Sequence, residues 1–260
     1  MRIGCYQFNP IAYDIEQNVS LICNVIKETM LDLIVFPELS LTGYIFESRD
    51  QLRENALPID SPWLLKLKQC SLDTQTAIVL GYAELDSYNG KIYNSSICFR
   101  PGLDPVTYRK SHLFDRETLV FDSGDSGFFT FDYKSAKIGM LVCFDHYFPE
   151  AARSLMLQGA QIICHPSNLV LEGAAQLTTR VRSMENRIFW CLCNRCGTQQ
   201  DLNFTGGSQI TDPKGEVLCS ASRDRTELIS FDITPKMALN KQISKRNDII
   251  EDRRMDIYTL

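Results

Sequence analysis

Residues 16–30 carry apolar side chains at Val19, Ile22, Val25, Ile26 and Met30, three or four apart with one adjacent pair. That spacing lays them along one face of a helix. Before it, RIGCYQF reads as a first strand. After it, LDLIVFPE (31–38) is a continuous apolar run ended by Pro-Glu, the pattern of a strand buried on both faces. TAIVLGYAEL and KIYNSSICFR predict a β pair joined by the turn residues DSYNG, and VTYR adds a short extended piece. AKIGMLVC (136–143) predicts another strand, ending at a cysteine. An aromatic-rich turn follows, and Pro149 then opens a helix in which Ala152, Leu155, Met156 and Gly159 take the i, i+3, i+4, i+7 positions. The remaining elements are a strand at AQIICHP, a helix around 175–187 and a strand at IFWCLCNRCG. A hairpin around Asp212–Gly215 within GSQITDPKGEVLCSAS and a last strand, ELISFDI, complete the pattern. Strands with helices between and around them predict an α/β layered protein.

Nothing interrupts this pattern: there is no internal repeat, low-complexity tract or linker, so residues 1–260 read as a single domain. The stretch RNDIIEDRRMDIYTL is charged and mostly polar, and residues from about 240 to 260 are expected to form an exposed tail or a C-terminal arm that docks on something. At 260 residues and 44% hydrophobic the chain can bury a sizeable core without staples. Its net charge of −5 has no basic stripe within it, so nucleic acid is not an expected partner. No apolar run approaches the roughly 20 residues that span a bilayer, so no membrane association is expected. MRIGCYQFNP has too short an apolar stretch for a secretory leader, and the expected location is the cytoplasm. Thiols stay reduced there, so the 10 cysteines read mostly as buried small hydrophobes.

Three segments hold residues with chemistry to offer. In IVFPELSLTGY, Glu38 follows a buried strand, at the end where α/β folds place their sites. Alone, it reads as a capping or salt-bridged acid. In TYRKSHLFDRE, Lys110 follows VTYR and Glu117 lies seven residues on; alone, they read as a solvated charged face. In LVCFDHYFPE, Cys143 stands at an elbow between strand and helix. Nearby backbone N–H groups there would favour the thiolate and could also stabilise an oxyanion. Alone, Cys143 reads as one more buried thiol.

The combination is more specific. FPELSLTGY, YRKSHLFDRE and CFDHYFPEAA resemble the glutamate, lysine and cysteine motifs of the nitrilase superfamily of carbon–nitrogen hydrolases. RSMENRIFWCLCNRCG and FTGGSQITDPKGEVL resemble later segments of the same family, so the likeness covers nearly the whole chain in order. HPSNLV (165–170) and the NDIIEDRR tail are similar to an archaeal nitrilase/amidase-like branch. The resemblance implies an αββα sandwich, a Glu38–Lys110–Cys143 triad with Glu117 in support, and a homodimer or higher homo-oligomer whose contacts use the C-terminal arm. It implies hydrolysis of a small amide through a cysteine thioester, with ammonia released, and requires no metal or organic cofactor. Lys110 and the backbone N–H of Phe144 would hold the oxyanion. Tyr44, Phe144, His146, Tyr147, Phe148 and Asn168 are the expected pocket residues. Cys143-Phe144-Asp145 differs from the Cys-Trp-Glu common in nitrilases proper, which favours an amide over a nitrile; small aliphatic nitriles and N-carbamoyl amines remain the alternative substrates.

Rival readings have less to stand on. His112, His146 and His165 lack metal-ligand spacing. A cysteine-protease dyad would need a histidine better placed than His146 or His112. The Cys-x-x-Cys within CLCNRC (191–196) has no second pair, and its alternation is that of a strand. A binding or regulatory protein that keeps the fold is the non-enzymatic alternative, and loss of a triad residue would mark it.

Overall fold

The computed structural model describes residues 1–258. In chain order its elements are β1 (Arg2–Gln7), α1 (Ile15–Lys27), β2 (Leu33–Val35), α2 (Arg49–Asn55), α3 (Pro62–Thr74), β3 (Ala77–Leu85), β4 (Ile92–Phe99), β5 (Val106–Arg109), α4 (Glu117–Val120), β6 (Thr130–Tyr133) and β7 (Ala136–Met140). A 3-10 helix (Cys143–Tyr147) leads into α5 (Pro149–Leu157), β8 (Ile162–Ser167), α6 (Ala174–Asn186), β9 (Phe189–Asn194), β10 (Cys196–Gln199), β11 (Leu202–Thr205), β12 (Gln209–Thr211), β13 (Val217–Ser220) and β14 (Glu227–Asp232).

The strands form two six-stranded sheets, ordered β14-β1-β2-β3-β4-β5 and β13-β12-β9-β8-β7-β6, with β10 and β11 as a separate pair. Period-2 alternation sends one set of side chains from each sheet inward. Ile3, Cys5, Leu33, Val35 and Val79 from the first sheet meet Ile138, Met140, Ile162, Cys164 and Cys191 from the second. The opposite set on the first sheet, including Ile34, Ile78 and Leu80, packs under Val19 and Ile22 of α1 and Leu64 and Leu67 of α3. On the second sheet Ala152 and Leu155 of α5 and Ala175 of α6 supply the cover. The four layers are therefore helix, sheet, sheet, helix, the αββα order the resemblance implied.

The expected strands and helices are present, with some boundary changes. The strand at 136–143 stops at Met140, three residues before Cys143, and the run at 189–197 breaks at Arg195 into β9 and β10. Helices α2 and α3 and strand β6 have no counterpart in the hydrophobic pattern. Helix α3 carries signals that could have revealed it: Pro62 at its first turn and Ser61, whose hydroxyl accepts from Leu64 N–H at 3.3 Å.

Residues 240–258 of the expected arm form turns and one bridge, Gln242 with Asp248. The segment is mostly exposed, but Ile250 packs on the core and Lys241 Nζ donates to the carbonyls of Asn186 and Arg187 at the end of α6. The arm's last two residues, 259–260, lie outside the described residues.

Two glycines let backbone reach the places where Glu38 and Lys110 sit. After β2 the chain stays tied to β3, with Gly81 N–H donating to Pro37 and Ser40 N–H to Gly81. A Cβ at Gly81 would lie 2.4 Å from Glu38 Cα and 2.5 Å from Leu39 N. A Cβ at Gly124 would lie 2.3 Å from the Arg109 carbonyl oxygen and 2.5 Å from that of Lys110. Gly81→Ala must therefore push Glu38 off β3. Overpacking of this kind costs about 1–3 kcal/mol. For a chain of this length the melting temperature should fall by roughly 2–12 °C, measured by thermal unfolding.

Candidate active site

Glu38, Lys110 and Glu117 come from three separate segments: the end of β2, the end of β5 and the start of α4. All three are almost completely buried, Lys110 at 1% exposure. Lys110 Nζ donates to Glu38 Oε1 at 2.7 Å and lies 2.7 Å from the Glu117 carboxylate. Asn94 Nδ2 donates to the same Glu38 oxygen at 2.7 Å, and Asn168 Nδ2 to the Glu38 backbone carbonyl at 2.8 Å. Glu117 also accepts from the Tyr44 hydroxyl at 2.8 Å and from Phe114 N–H at 3.2 Å. Glu38 Oε2 is buried with no partner among the described residues. A buried carboxylate oxygen left open in a hydrogen-bonded cluster is free to accept or return a proton.

Burial dominates the electrostatics. It raises the Glu38 carboxyl above its ordinary 4.5, against the lowering effect of Lys110, while Glu117 pushes the same way as burial. Lys110 goes the other way: burial alone would lower it, but the two carboxylates and Cys143 outweigh that and hold the ammonium charged well past its ordinary value. An ammonium between two carboxylates is the arrangement that makes a buried lysine tolerable.

Cys143 opens the 3-10 helix with φ +43°, the left-handed region that costs an ordinary residue about 1–2 kcal/mol. The conformation is braced on both sides. Before it, Val142 N–H donates to Asp145 Oδ2 at 2.9 Å; after it, His165 Nε2 donates to the Cys143 carbonyl at 2.8 Å. Asp145 is fully buried and also accepts from the Tyr108 hydroxyl and from His112 N–H and Nδ1–H, at 2.8, 3.2 and 2.8 Å.

The thiol of Cys143 is raised well above its ordinary value, first by burial and then by the Glu38 charge; Lys110 and the Asn168 backbone N–H only partly offset this. The expectation that the elbow favours a thiolate is therefore corrected. The local N–H groups are present, but burial beside two carboxylates outweighs them, and the resting group is the thiol.

Most of the expected pocket residues surround this cluster. Phe144, His146, Tyr147 and Asn168 line a narrow cavity of about 20 Å³ at Cys143, together with Phe114 and Val170. Tyr44 and Glu117 line a larger cavity of about 260 Å³ with Phe46, Phe121 and Leu202, and Phe114 and Val170 border both. Phe148 is the exception. It lines neither cavity and instead stacks on His112 with ring centroids 3.6 Å apart, packing against the core. Phe148 follows the wall residue Tyr147 directly and turns inward because the 3-10 helix ends there. His146 lies 2.6 Å from the Thr178 hydroxyl and is pushed down to about 4, mainly by burial, so it is a neutral wall residue at physiological pH. Sequence reasoning did not single out Asn94, Asp145, Phe114, Val170 or the bracing role of His165. A polar Asn94 inside the apolar alternation of β4 was the one local signal available.

The carbon–nitrogen hydrolase family matches residues 2–240 of this chain. The chain belongs to the carbon–nitrogen hydrolase family. This carbon–nitrogen hydrolase is 38% identical over 262 residues to a nitrilase of Pyrococcus abyssi, with 99% of each chain covered. It is 33% identical to an (R)-stereoselective amidase of a Pseudomonas species, covering 94% of this chain and 86% of that one. A solved nitrilase-superfamily member from Saccharomyces cerevisiae superposes with a TM-score of 0.83 at 26% identity, covering 92% of both chains. The non-enzymatic alternative gives way to an enzyme of nitrilase or amidase type.

In this hydrolase the raised thiol has a direct signature. The native protein minus its Cys143→Ala variant should show no thiolate absorbance near 240 nm at pH 7. A thiolate band present at that pH would contradict the burial argument.

Proposed function

We propose that this carbon–nitrogen hydrolase cleaves a small amide, releasing ammonia and a carboxylic acid through a thioester on Cys143. The observation that carries the reading is the open Glu38 Oε2 in a cluster where Lys110 is held 2.7 Å from both carboxylates and Cys143 feels all three charges. Because Cys143 rests as a thiol, Glu38 takes its proton as the sulfur attacks the carbonyl carbon. Lys110, which cannot lose its charge in the working range, and the Phe144 N–H hold the oxyanion. Glu38 then gives the proton to the departing amine. A carboxyl raised by burial keeps that proton long enough to deliver it, and an amide leaving group needs it, which favours amides over nitriles. Water, deprotonated by Glu38, hydrolyses the thioester. Glu117 fixes Lys110 and receives Tyr44, so it orients the cation instead of carrying protons.

The cavities fit a small acyl group. The narrow one at Cys143 takes the reacting carbon, and the larger one, where Tyr44, Phe46, Phe114 and Phe121 stand beside Asp115, Arg116, Glu117 and Asp201, takes the remainder of the substrate. Small nitriles and N-carbamoyl amines are the competing substrates, the first in keeping with the Pyrococcus relative's name.

A panel of amides, nitriles and N-carbamoyl compounds assayed for ammonia should single out amides. Mass spectrometry should show an acyl adduct on Cys143, and Cys143→Ala should abolish turnover; unchanged activity would sink the mechanism. The base must be ionised, and its carboxyl is raised, so activity should be present above that raised value and lost as pH falls through it. The acid limb of kcat/KM should therefore lie above 4.5. Glu38→Gln should remove both the limb and at least about a hundredfold of the rate.

We further propose that the chain works as one domain, in the cytoplasm, as a homodimer or larger homo-oligomer with the arm from about 240 contributing to the contact. Exposed Leu177 and Met184 on α6, with Ile243, Met255 and Ile257 on the arm, supply the apolar surface for it. Light scattering of the full chain and of a form ending at residue 240 should give a smaller species for the shortened one.

A further inference from the structure

We infer that His165, held in one tautomer by Trp190, is the positioning residue that aims the Phe144 N–H at the reacting carbonyl oxygen. The inference rests on the proposed amide reaction and adds to it a reason why the oxyanion donor points where it does.

Topology brings the three residues together. Strand β8 pairs in parallel with β7, matching Ile138 with Ile162, Gly139 with Ile163 and Met140 with Cys164. The ladder runs one bond further, from Leu141 N–H to the Cys164 carbonyl at 3.1 Å. Strand β7 then stops while β8 continues, so the next residue, His165, stands beside the elbow. Strand β9 pairs in parallel on the other side of β8, with Trp190 opposite Ile163.

The hydrogen bonds then have only one consistent arrangement. Trp190 Nε1 is a donor and cannot accept, and it lies 3.2 Å from His165 Nδ1. His165 Nδ1 must therefore be the acceptor, and the ring proton sits on Nε2. Nε2 donates to the Cys143 carbonyl at 2.8 Å; the Ser167 hydroxyl is a longer neighbour at 3.3 Å. Burial above all, with the Lys110 charge pushing the same way, lowers His165 to about 3, so the ring stays neutral and the arrangement holds across the working pH range.

A trans peptide unit is planar, with its C=O and N–H on opposite sides. The carbonyl of Cys143 and the N–H of Phe144 belong to one such unit. Pinning the carbonyl to His165 turns the Phe144 N–H to the side away from β8. Within the same turn, Asp145 N–H returns to Val142 and Phe148 N–H to Asp145, whereas Phe144 N–H has no partner among the described residues. A backbone donor left open in this turn, beside the cavity at Cys143, is what an oxyanion site requires. His165 also resists relaxation of the left-handed Cys143, since a flip of this peptide would break the 2.8 Å bond from His165 Nε2 to its carbonyl.

The test uses the full chain and p-nitrophenyl acetate, a general acyl donor, with Cys143→Ala as the background. The native protein should release a burst of nitrophenolate that the alanine variant lacks. Removing an oxyanion donor outright costs about 10²–10³-fold. His165→Leu frees the peptide without removing the donor, so acylation should slow by roughly ten- to a hundredfold. Alkylation of Cys143 by iodoacetamide forms no oxyanion and should keep its native rate. His165→Gln can accept from Trp190 and donate to the Cys143 carbonyl, and should recover most of the rate. Trp190→Phe should lose several-fold, because the tautomer is no longer fixed. Acylation and alkylation falling together, or a glutamine variant as slow as the leucine one, would overturn the aiming role. So would native acylation rates in both His165→Leu and Trp190→Phe. If the leucine variant does not fold, the glutamine and phenylalanine variants decide by the same two rates. A native protein that shows no burst sinks the amide reading itself, and this inference with it; a native burst that His165→Leu leaves untouched sinks only the inference.

Discussion

A single ammonium placed between two carboxylates in the dry interior governs this molecule. Moving one ion out of water costs several kcal/mol, and Lys110, Glu38 and Glu117 repay that only as a set. Each partner must arrive within hydrogen-bond distance, and each comes from a different segment, so three separate parts of the chain are committed to one point. Gly81 and Gly124 are the backbone's contribution to that meeting: each lets a strand or loop approach more closely than any side chain would allow. Asn94, Tyr44 and the Phe114 N–H satisfy the remaining carboxylate lone pairs, and one oxygen, Glu38 Oε2, stays open.

That cluster decides what the neighbouring cysteine can be. A lysine beside a cysteine usually lowers the thiol's pKa, but here the lysine's charge is already answered by two acids. Cys143 meets a site whose sum is negative when both acids are ionised, and burial adds to the effect. The proposed reaction follows from this electrostatic state: sulfur attacks as its proton moves to Glu38, with no standing thiolate at rest. A cysteine kept neutral until a substrate arrives is compatible with 10 free cysteines in one chain.

The motifs and the fold were legible in the sequence for different reasons. Continuous apolar runs marked β2 and β8, and 3.6-residue spacing marked α1 and α5, because burial on a layer imposes those periods. Glu38, Lys110 and Cys143 were legible through the company they keep along the chain. What was not legible depends on distances between segments. Nothing in CFDHYFPE says that Asp145 will accept from four donors, or that Phe148 will stack under His112 instead of facing the cavity. Helix α3 escaped because its exposed Leu65 and Leu72 blur the apolar stripe made by Leu64, Leu67 and Cys70. The balance of charge at the thiol is not legible for a related reason: local N–H groups can be read from an elbow, but two acids 105 and 26 residues away along the chain (143 − 38 and 143 − 117) cannot.

The left-handed Cys143 shows how such long-range constraints reach a reacting atom. Its φ of +43° is unfavourable by itself, so the conformation survives only while its flanking peptide groups are held. Asp145 N–H holds the Val142 carbonyl before it and His165 the carbonyl after it. The first brace is local, three residues away, and would form in any such turn. The second depends on β8 outrunning β7 in a parallel pair, and so on the topology of the whole second sheet. A parallel sheet whose neighbouring strand continues past the elbow can therefore do what a tight turn alone cannot. It fixes the plane of one peptide from behind, leaving the other side of that plane free for the substrate.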